Sequence, residues 1–533
     1  MTNAFWITVL ATMLSTLQSN AQQSAPINIG SRLELFVDDY LVDRMEGDAS
    51  LHLHKPTGKE VVLSMDKPWE DTTMGYFAVR TDGDTHRMYY RGHHHGVGEE
   101  ARGEPMCYAE SKDGIHWVKP NLGLFSFHGS ADNNIVLGGD DAKFPATEKW
   151  HGELGFDTDL GWRGDMVPFK DTNPHVTPDA QYKALVRGCR GPHQILEGQS
   201  DYGLYPMKSP DGFQWTLMSD KPVLTKRRFD SQNLGFWDSA HNRYVAFMRH
   251  LKSNSAEINK LPPEKVIYGM RDVHVAFSDD FVNWTEPVPL KFPGDIDREM
   301  YTNAIIPYER APHILIGFPT VLNDVFAVDQ VYPIFMTSRD GGSSFLRHGE
   351  ALIPCEAPRD RDGNRSNFMA QGLIRGNERE YFVYATEGYG YEEADAPADW
   401  RKTSPPSARL RRFVYRVDGF MSVRAGLSGG TLVTKPFLFQ GNQLVLNYIA
   451  WPLHAGAVQV EMQDADGQPL EGLTLADCVP LHGDQIDRQV TWESGVDLSA
   501  YAGRPVRLRF QLKDADLFSY QFVESGEGDN DTR

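Results

Sequence analysis

A short turn returns five times along this chain, and the recurrence limits its fold more than any other feature. Residues 111–117 read SKDGIHW, 209–215 read SPDGFQW and 278–284 read SDDFVNW. A fourth copy, SRDGGSSF, occupies 338–345, and a degenerate fifth, VDGFMSV, starts at Val417. Return of one motif means that one supersecondary unit is repeated, and the uneven spacing of the copies fits insertions in the loops on one face. The turn has a structural job of its own. An Asp or Ser oxygen accepts backbone N–H groups, Gly takes the positive φ, and the aromatic that follows packs between neighbouring units.

Each copy follows alternating, aromatic-rich runs, such as YFAVRTDGDTHRMYYRG with MCYAE, or NLGFWDSAHNRYVAFMRHL with VHVAF. These predict strand, polar turn, strand, longer loop, strand, repeated turn and fourth strand. Four strands per repeated unit is the pattern of a propeller blade, and no long helical periodicity competes with it. Five blades are expected, at 68–127, 166–224, 229–292, 301–353 and 368 to about 423. One of RLELFVDDYLV (32–42) and LHLHKP (51–56) is expected to supply the strand that closes the ring. After Arg424, short strands split by Gly, Asp and Asn turns predict a β-sandwich. The expected architecture is all-β: an N-terminal segment (22–59), a five-bladed β-propeller (60–424), a C-terminal β-sandwich (425–525) and a frayed acidic tail (526–533).

The 533 residues carry 73 Asp and Glu against 53 Lys and Arg, a formal charge of −20. Such a surface argues against nucleic acid and anionic membranes as partners. Residues 5–17 form an apolar run followed by Ser19-Asn20-Ala21, which reads as a signal peptide cleaved after Ala21. The run is too short to span a bilayer, so the mature chain is expected to be secreted or periplasmic and free of membrane. Cys107, Cys189, Cys355 and Cys478 lie far apart without metal-ligand spacing, and read as isolated buried residues. In His93-His94-His95 successive side chains would face opposite ways in a strand, so at most two could share one ion, and the run predicts a loop contacting sugar or solvent rather than a metal centre. No cofactor is expected, with a structural cation on the propeller axis left open.

In a propeller the inner strand of each blade starts on the funnel face and the second strand ends there, so polar residues at those points converge. Carboxylates fall at four expected inner-strand starts: Glu70 with Asp71, Asp171, Asp230 and Glu299. Blade five offers Arg365 and Asn367 at its start and Glu387 at the end of its second strand. Arginines mark three further second-strand ends, as Arg91, Arg187 with Arg190, and Arg249 beside His250, while Arg271-Asp272 opens a third strand. Glycosidic bond hydrolysis needs such carboxylates: one protonates the leaving oxygen, and another activates water or attacks the sugar. Asn173, Asn233 and Asn303 are placed to hold sugar hydroxyls. The arginines either bind a carboxylate or sulfate on the substrate or balance the acids.

On these residues the chain resembles the five-bladed propeller glycoside hydrolases, the broad group of families 32, 43, 62, 68, 117 and 130. The resemblance spans about 60–424 and rests on the repeated turns, HRMYYRG in a second strand, and the acids at inner-strand starts. FDSQNLGFWD, YTNAIIPYERAPHILIGFPT and EPVPL resemble more closely a group of exported bacterial glycosyl hydrolase-like proteins with a C-terminal sandwich. The fructan-type signatures are absent: there is no N-D-P-N-G, Val273 follows Arg271-Asp272, and Cys355-Glu356 reverses the E-C order. The resemblance implies three acids on successive blades, matched by Asp171, Asp230 and Glu299, with Glu70 or Asp71 as alternative members. The roles it implies, in chain order, are base, pKa modulator and proton donor; we assign Glu299 as general acid, Asp230 as general base or nucleophile and Asp171 as the tuning carboxylate. A carbohydrate-cleaving enzyme is therefore expected, its substrate a poly- or oligosaccharide. The rival readings are a non-catalytic glycan-binding propeller, and a sialidase-like or lyase chemistry using the arginines and Tyr301.

Overall fold

The computed structural model describes residues 25–525 apart from 71–74, 93–104, 128, 139–165, 189–202, 226–228, 230, 253–269, 295–298, 324–329, 355–366, 388–407, 452 and 454. Among the described residues the regular elements are strands and short 3-10 turns, and no helix is long and apolar enough to cross a membrane.

Five antiparallel sheets form the blades of a propeller. From the inside outwards, blade one is built on Gly75–Asp82, Thr85–Arg91 and Met106–Ser111, and blade two on Phe169–Lys170, Tyr182–Gly188 and Gly203–Ser209. Blade three has Leu234–Asp238, Arg243–Lys252, Met270–Ser278 and Val288–Pro289. Blade four has Ile305–Tyr308, Ala311–Gly317, Phe335–Ser338 and Leu346–His348. Blade five has Ile374–Arg375, Glu380–Glu387 and Arg409–Arg416, and its fourth strand is Thr57–Ser64, from ahead of blade one. The ring also closes at its inner edge, where the Gln371 N–H donates to Phe77 O and the Val79 N–H to Gln371 O, both at 2.8 Å.

The closing strand differs from the one expected. Glu34–Leu35 pairs with Tyr520 and Ser519, and Ser50–Leu53 pairs with Met421–Ala425, so both expected segments join the sandwich. The reason lies in their buried faces. Phe36, Leu41 and Val42 enter the sandwich core, while Leu33, Leu35 and Val37 pack with Tyr308, Tyr381 and Phe420 of blades four and five. The sandwich accordingly has two six-stranded sheets, and residues 27–53 supply four of their strands.

The recurring turns are latches. In the first copy Ser111 Oγ accepts from the Gly114 N–H at 2.9 Å, and Asp113 Oδ1 from those of Ile115 and His116 at 2.8 Å. Trp117 then donates its indole N–H to Gly114 O at 3.1 Å. The same bonds recur around Asp211 and Trp215, and around Asp280 and Trp284, where Phe281 takes the positive φ of 68°. Each second strand sends one large side chain to the next blade's turn: Tyr89 to Gly212, Leu185 to Phe281, Phe247 to Gly342, Phe318 to Phe420 and Tyr384 to Gly114.

Candidate functional site

These latching side chains give all five blades a common register. Successive strand residues face opposite ways, so the residue two positions on repeats the orientation of the latch, nearer the funnel. There the chain places Arg91, Arg187 and Arg249 in blades one to three, and Thr320 and Thr386 in blades four and five. All three arginines are buried, at 5, 7 and 6% exposure. Arg91 lies over the Tyr76 ring at 4.4 Å.

Blades three and four meet in the densest described cluster. Arg271 is paired with Leu251 at the funnel end of blade three, and its guanidinium donates to Glu299. The Met300 N–H donates to Arg271 O at 3.0 Å and the Leu322 N–H to Glu299 O at 3.1 Å, which fixes the Glu299 backbone between the two blades. Two residues later, the Tyr301 ring has the guanidiniums of Arg271 and Arg249 at 4.7 and 5.4 Å from its centre. Phe368 of blade five meets the same ring edge-on at 5.3 Å, and Ser231 of blade three donates to Tyr301 O at 3.0 Å. Asp272 is buried beside them, 3.5 Å from Lys252, and the His250 and His274 rings lie 4.2 Å apart.

Asp171 belongs elsewhere, which corrects the expectation. Phe169 and Lys170 pair with Lys183 and Tyr182, the first residues of the second strand, so the inner strand ends at Asp171 instead of starting there. Asp171 sits on the face opposite the funnel, fully buried, where it accepts from Lys183 and from the Tyr244 hydroxyl at 2.7 Å. Burial and the Asp171 carboxylate together push the Tyr244 hydroxyl well up, so it stays a donor. Asn173, two residues on, donates to the same hydroxyl at 3.0 Å.

Glu70 is likewise enclosed. It accepts from the N–H groups of Asp66 and Lys67 at 3.1 Å, from Lys119 at 2.6 Å and from the Tyr90 hydroxyl at 2.7 Å, with no side-chain exposure. Four donors leave its carboxylate no role toward a ligand. Glu387 reaches the funnel end of blade five but is gripped by Arg409 at 2.8 Å and by Arg411. Asn233 works for the backbone, donating to Phe229 O and Ser231 O and accepting from the Arg249 N–H at 3.1 Å. Asn303 accepts from the Ile305 N–H at 3.5 Å. Asn367, at the start of blade five, is fully buried, and neither of its amide atoms has a partner. Asp71, His93, His94, His95, Arg190, Asp230 and Arg365 lie outside the described residues, as does the expected signal peptide.

The structure thus joins Glu299, Arg271 and Arg249 around Tyr301, with Asn367 next in the chain to the Phe368 that meets the tyrosine ring, and sets Asp171 and Glu70 apart. Thr320 and Thr386, at the arginine position in blades four and five, were not among the expected site residues. Their signal was present in the sequence, as the position two beyond each second-strand latch.

No family model matches the chain, and no curated protein matches it. Solved structures do show similarity. One is a glycoside hydrolase, 13% identical over 68% of this chain and 92% of its own, with a TM-score of 0.44. A second comes from the work on glycoside hydrolases of the GH130 family that target β-1,2 mannosidic linkages in Candida mannan; it is 12% identical over 68% and 94%, with a TM-score of 0.41. A third, a glycosyl hydrolase from Bacteroides ovatus, is 12% identical over 68% and 93%, with a TM-score of 0.40.

Proposed function

We propose that this chain is an exported enzyme that cleaves glycosidic bonds in a poly- or oligosaccharide bearing carboxylates, and that cleavage occurs at the funnel face. The observation that carries the reading is the Glu299–Arg271 pair set against a tyrosine flanked by a second arginine. Arginine can only donate, so the Glu299 oxygen that Arg271 engages is an acceptor. That suits Glu299 to the part of base or nucleophile, in place of the proton donor implied by family resemblance. As a base it takes a proton from water while the water oxygen bonds to the anomeric carbon and the glycosidic C–O bond breaks; the second carboxyl gives its proton to the leaving oxygen. Asp230, the base or nucleophile of the sequence reading, then exchanges roles with Glu299 and serves as that second carboxyl. Arg249, Arg187 and Arg91 favour a substrate carboxylate at the same face.

The test is turnover of a panel of neutral and uronic-acid-containing glycans by the wild type and Glu299→Gln. The wild type should release product, and the variant should fall by at least a thousandfold with unchanged thermal unfolding. Assaying the secreted fraction of expressing cells alongside purified protein tests export in the same experiment.

A second reading, a glycan-binding propeller without turnover, is favoured by one observation: Glu70, Asp171, Glu299 and Glu387 each have a basic partner. Glycans retained by the wild type but never cleaved would select it.

A further inference from the structure

We propose that the wall formed by blades four and five is a hydrogen-bonding subsite for a neutral sugar ring. The Asn367 carboxamide takes two adjacent ring hydroxyls there, and the Thr320 hydroxyl takes a third. The proposal rests on the glycan reading above and adds to it the class of sugar that this half of the funnel accepts.

Three observations carry it. The first is the change of residue type around the ring. The register position that holds arginine in blades one to three holds Thr320 and Thr386 in blades four and five. That half of the ring is uncharged at this position, so it is fitted to a neutral group.

The second is the state of the side chains. Asn367 and Thr320 are both fully buried, and the Asn367 amide nitrogen, the Asn367 amide oxygen and the Thr320 hydroxyl all lack partners. A buried polar group left unpaired is destabilising, which a purely structural position avoids by using an apolar residue of like size. Asn233 shows what a structural asparagine looks like in this fold, since its side chain makes three bonds to backbone. Thr386 likewise accepts from the Phe368 N–H at 2.9 Å, so it is occupied where Thr320 is not.

The third is proximity. Thr320–Asn323 pairs with Gln330–Pro333, and Leu322 stands opposite Val331, whose carbonyl accepts the Asn367 N–H at 3.0 Å. Thr320 is two residues from Leu322, about 7 Å along the strand. Tyr301 lies between the pair: its N–H donates to Thr320 O at 2.6 Å, and its ring meets Phe368, the neighbour of Asn367. A carboxamide presents a donor and an acceptor side by side, the complement of two adjacent hydroxyls that each give or take one bond.

The experiment compares ligand-free thermal unfolding, and binding to an array of neutral and uronic-acid-containing oligosaccharides, for wild type, Asn367→Leu and Thr320→Val. The expected result is a melting temperature equal to or above wild type in both variants. Binding of oligosaccharides with a neutral residue should weaken at least tenfold, and binding of purely acidic ones should be retained. A fall of several degrees in both variants would assign the two groups to the fold and overturn the subsite. Wild-type-like binding of neutral residues by both variants would overturn it too, leaving the glycan reading intact. A wild type that binds nothing on the array sinks that parent reading, and the subsite with it.

Discussion

Asp171 and Glu299 look alike in the sequence, each an acid close to an aromatic-rich strand, yet their surroundings give them opposite uses. Asp171 is sealed with Lys183 and Tyr244 on the far face, where its carboxylate holds two blades together. Glu299 stands on the funnel side, 16% exposed in its side chain, with Arg271 at 29%. Removing one member of a buried ion pair leaves the other charge uncompensated, at about 3–5 kcal/mol. Asp171→Ala should therefore destabilise the chain by roughly that amount in urea unfolding, while turnover per folded molecule stays at the wild-type value. A folded, stable Asp171→Ala protein without activity would restore Asp171 to the reaction.

At the scale of the element, the latching turns are the parts most open to a local test. Gly212 has φ +84°, and a Cβ there would run into the Tyr89 hydroxyl and Arg87, whereas Gly123 at φ +65° has open space. Both alanines pay the left-handed backbone cost of about 1–2 kcal/mol. Gly212→Ala should cost more than Gly123→Ala, because it also parts blade one from blade two; equal losses in denaturant midpoints would contradict the latch. The same turns explain how much was legible beforehand. SKDGIHW and its copies number the blades because each turn satisfies its own backbone, a local property that sequence records directly. The closing strand was not legible, since Ser50–Leu53 and Thr57–Ser64 follow one another closely, and only tertiary packing decides which sheet takes which. Asp171 was misplaced for a related reason. The short Phe169–Lys170 reads as well for the start of a strand as for its end, and only pairing with Tyr182 and Lys183 sets its direction.

Across the whole molecule, the sandwich is fastened to blades four and five by buried ion pairs as well as by shared core. Arg339, from the fourth turn, donates to Glu34 at 2.7 Å and to Asp38 at 2.6 Å, and Asp418 of the fifth turn, held by Arg310 of blade four at 2.9 Å, accepts from Ser519 and Asn447 of the sandwich at 2.7 and 3.0 Å. Burial would raise the Glu34 carboxyl, but His313, Arg339 and Arg32 outweigh it and bring the group from an ordinary 4.5 down to about 2. A lowered folded value means stability fully present above pH 4.5 and lost as pH falls toward 2. Urea midpoints of the wild type should therefore drop across that window, and Glu34→Gln should show a smaller drop from a lower starting point. Parallel pH curves for the two proteins would remove Glu34 from the clamp. The clamp steadies the two blades that carry Tyr301, Thr320 and Asn367, and so joins the sandwich to the funnel. The most direct measurement of the whole account is product release from uronic-acid-containing glycans by wild type and Glu299→Gln, with thermal unfolding checked for both. Release by the wild type and a thousandfold loss in an equally stable variant is the predicted result; release that survives the substitution would contradict it.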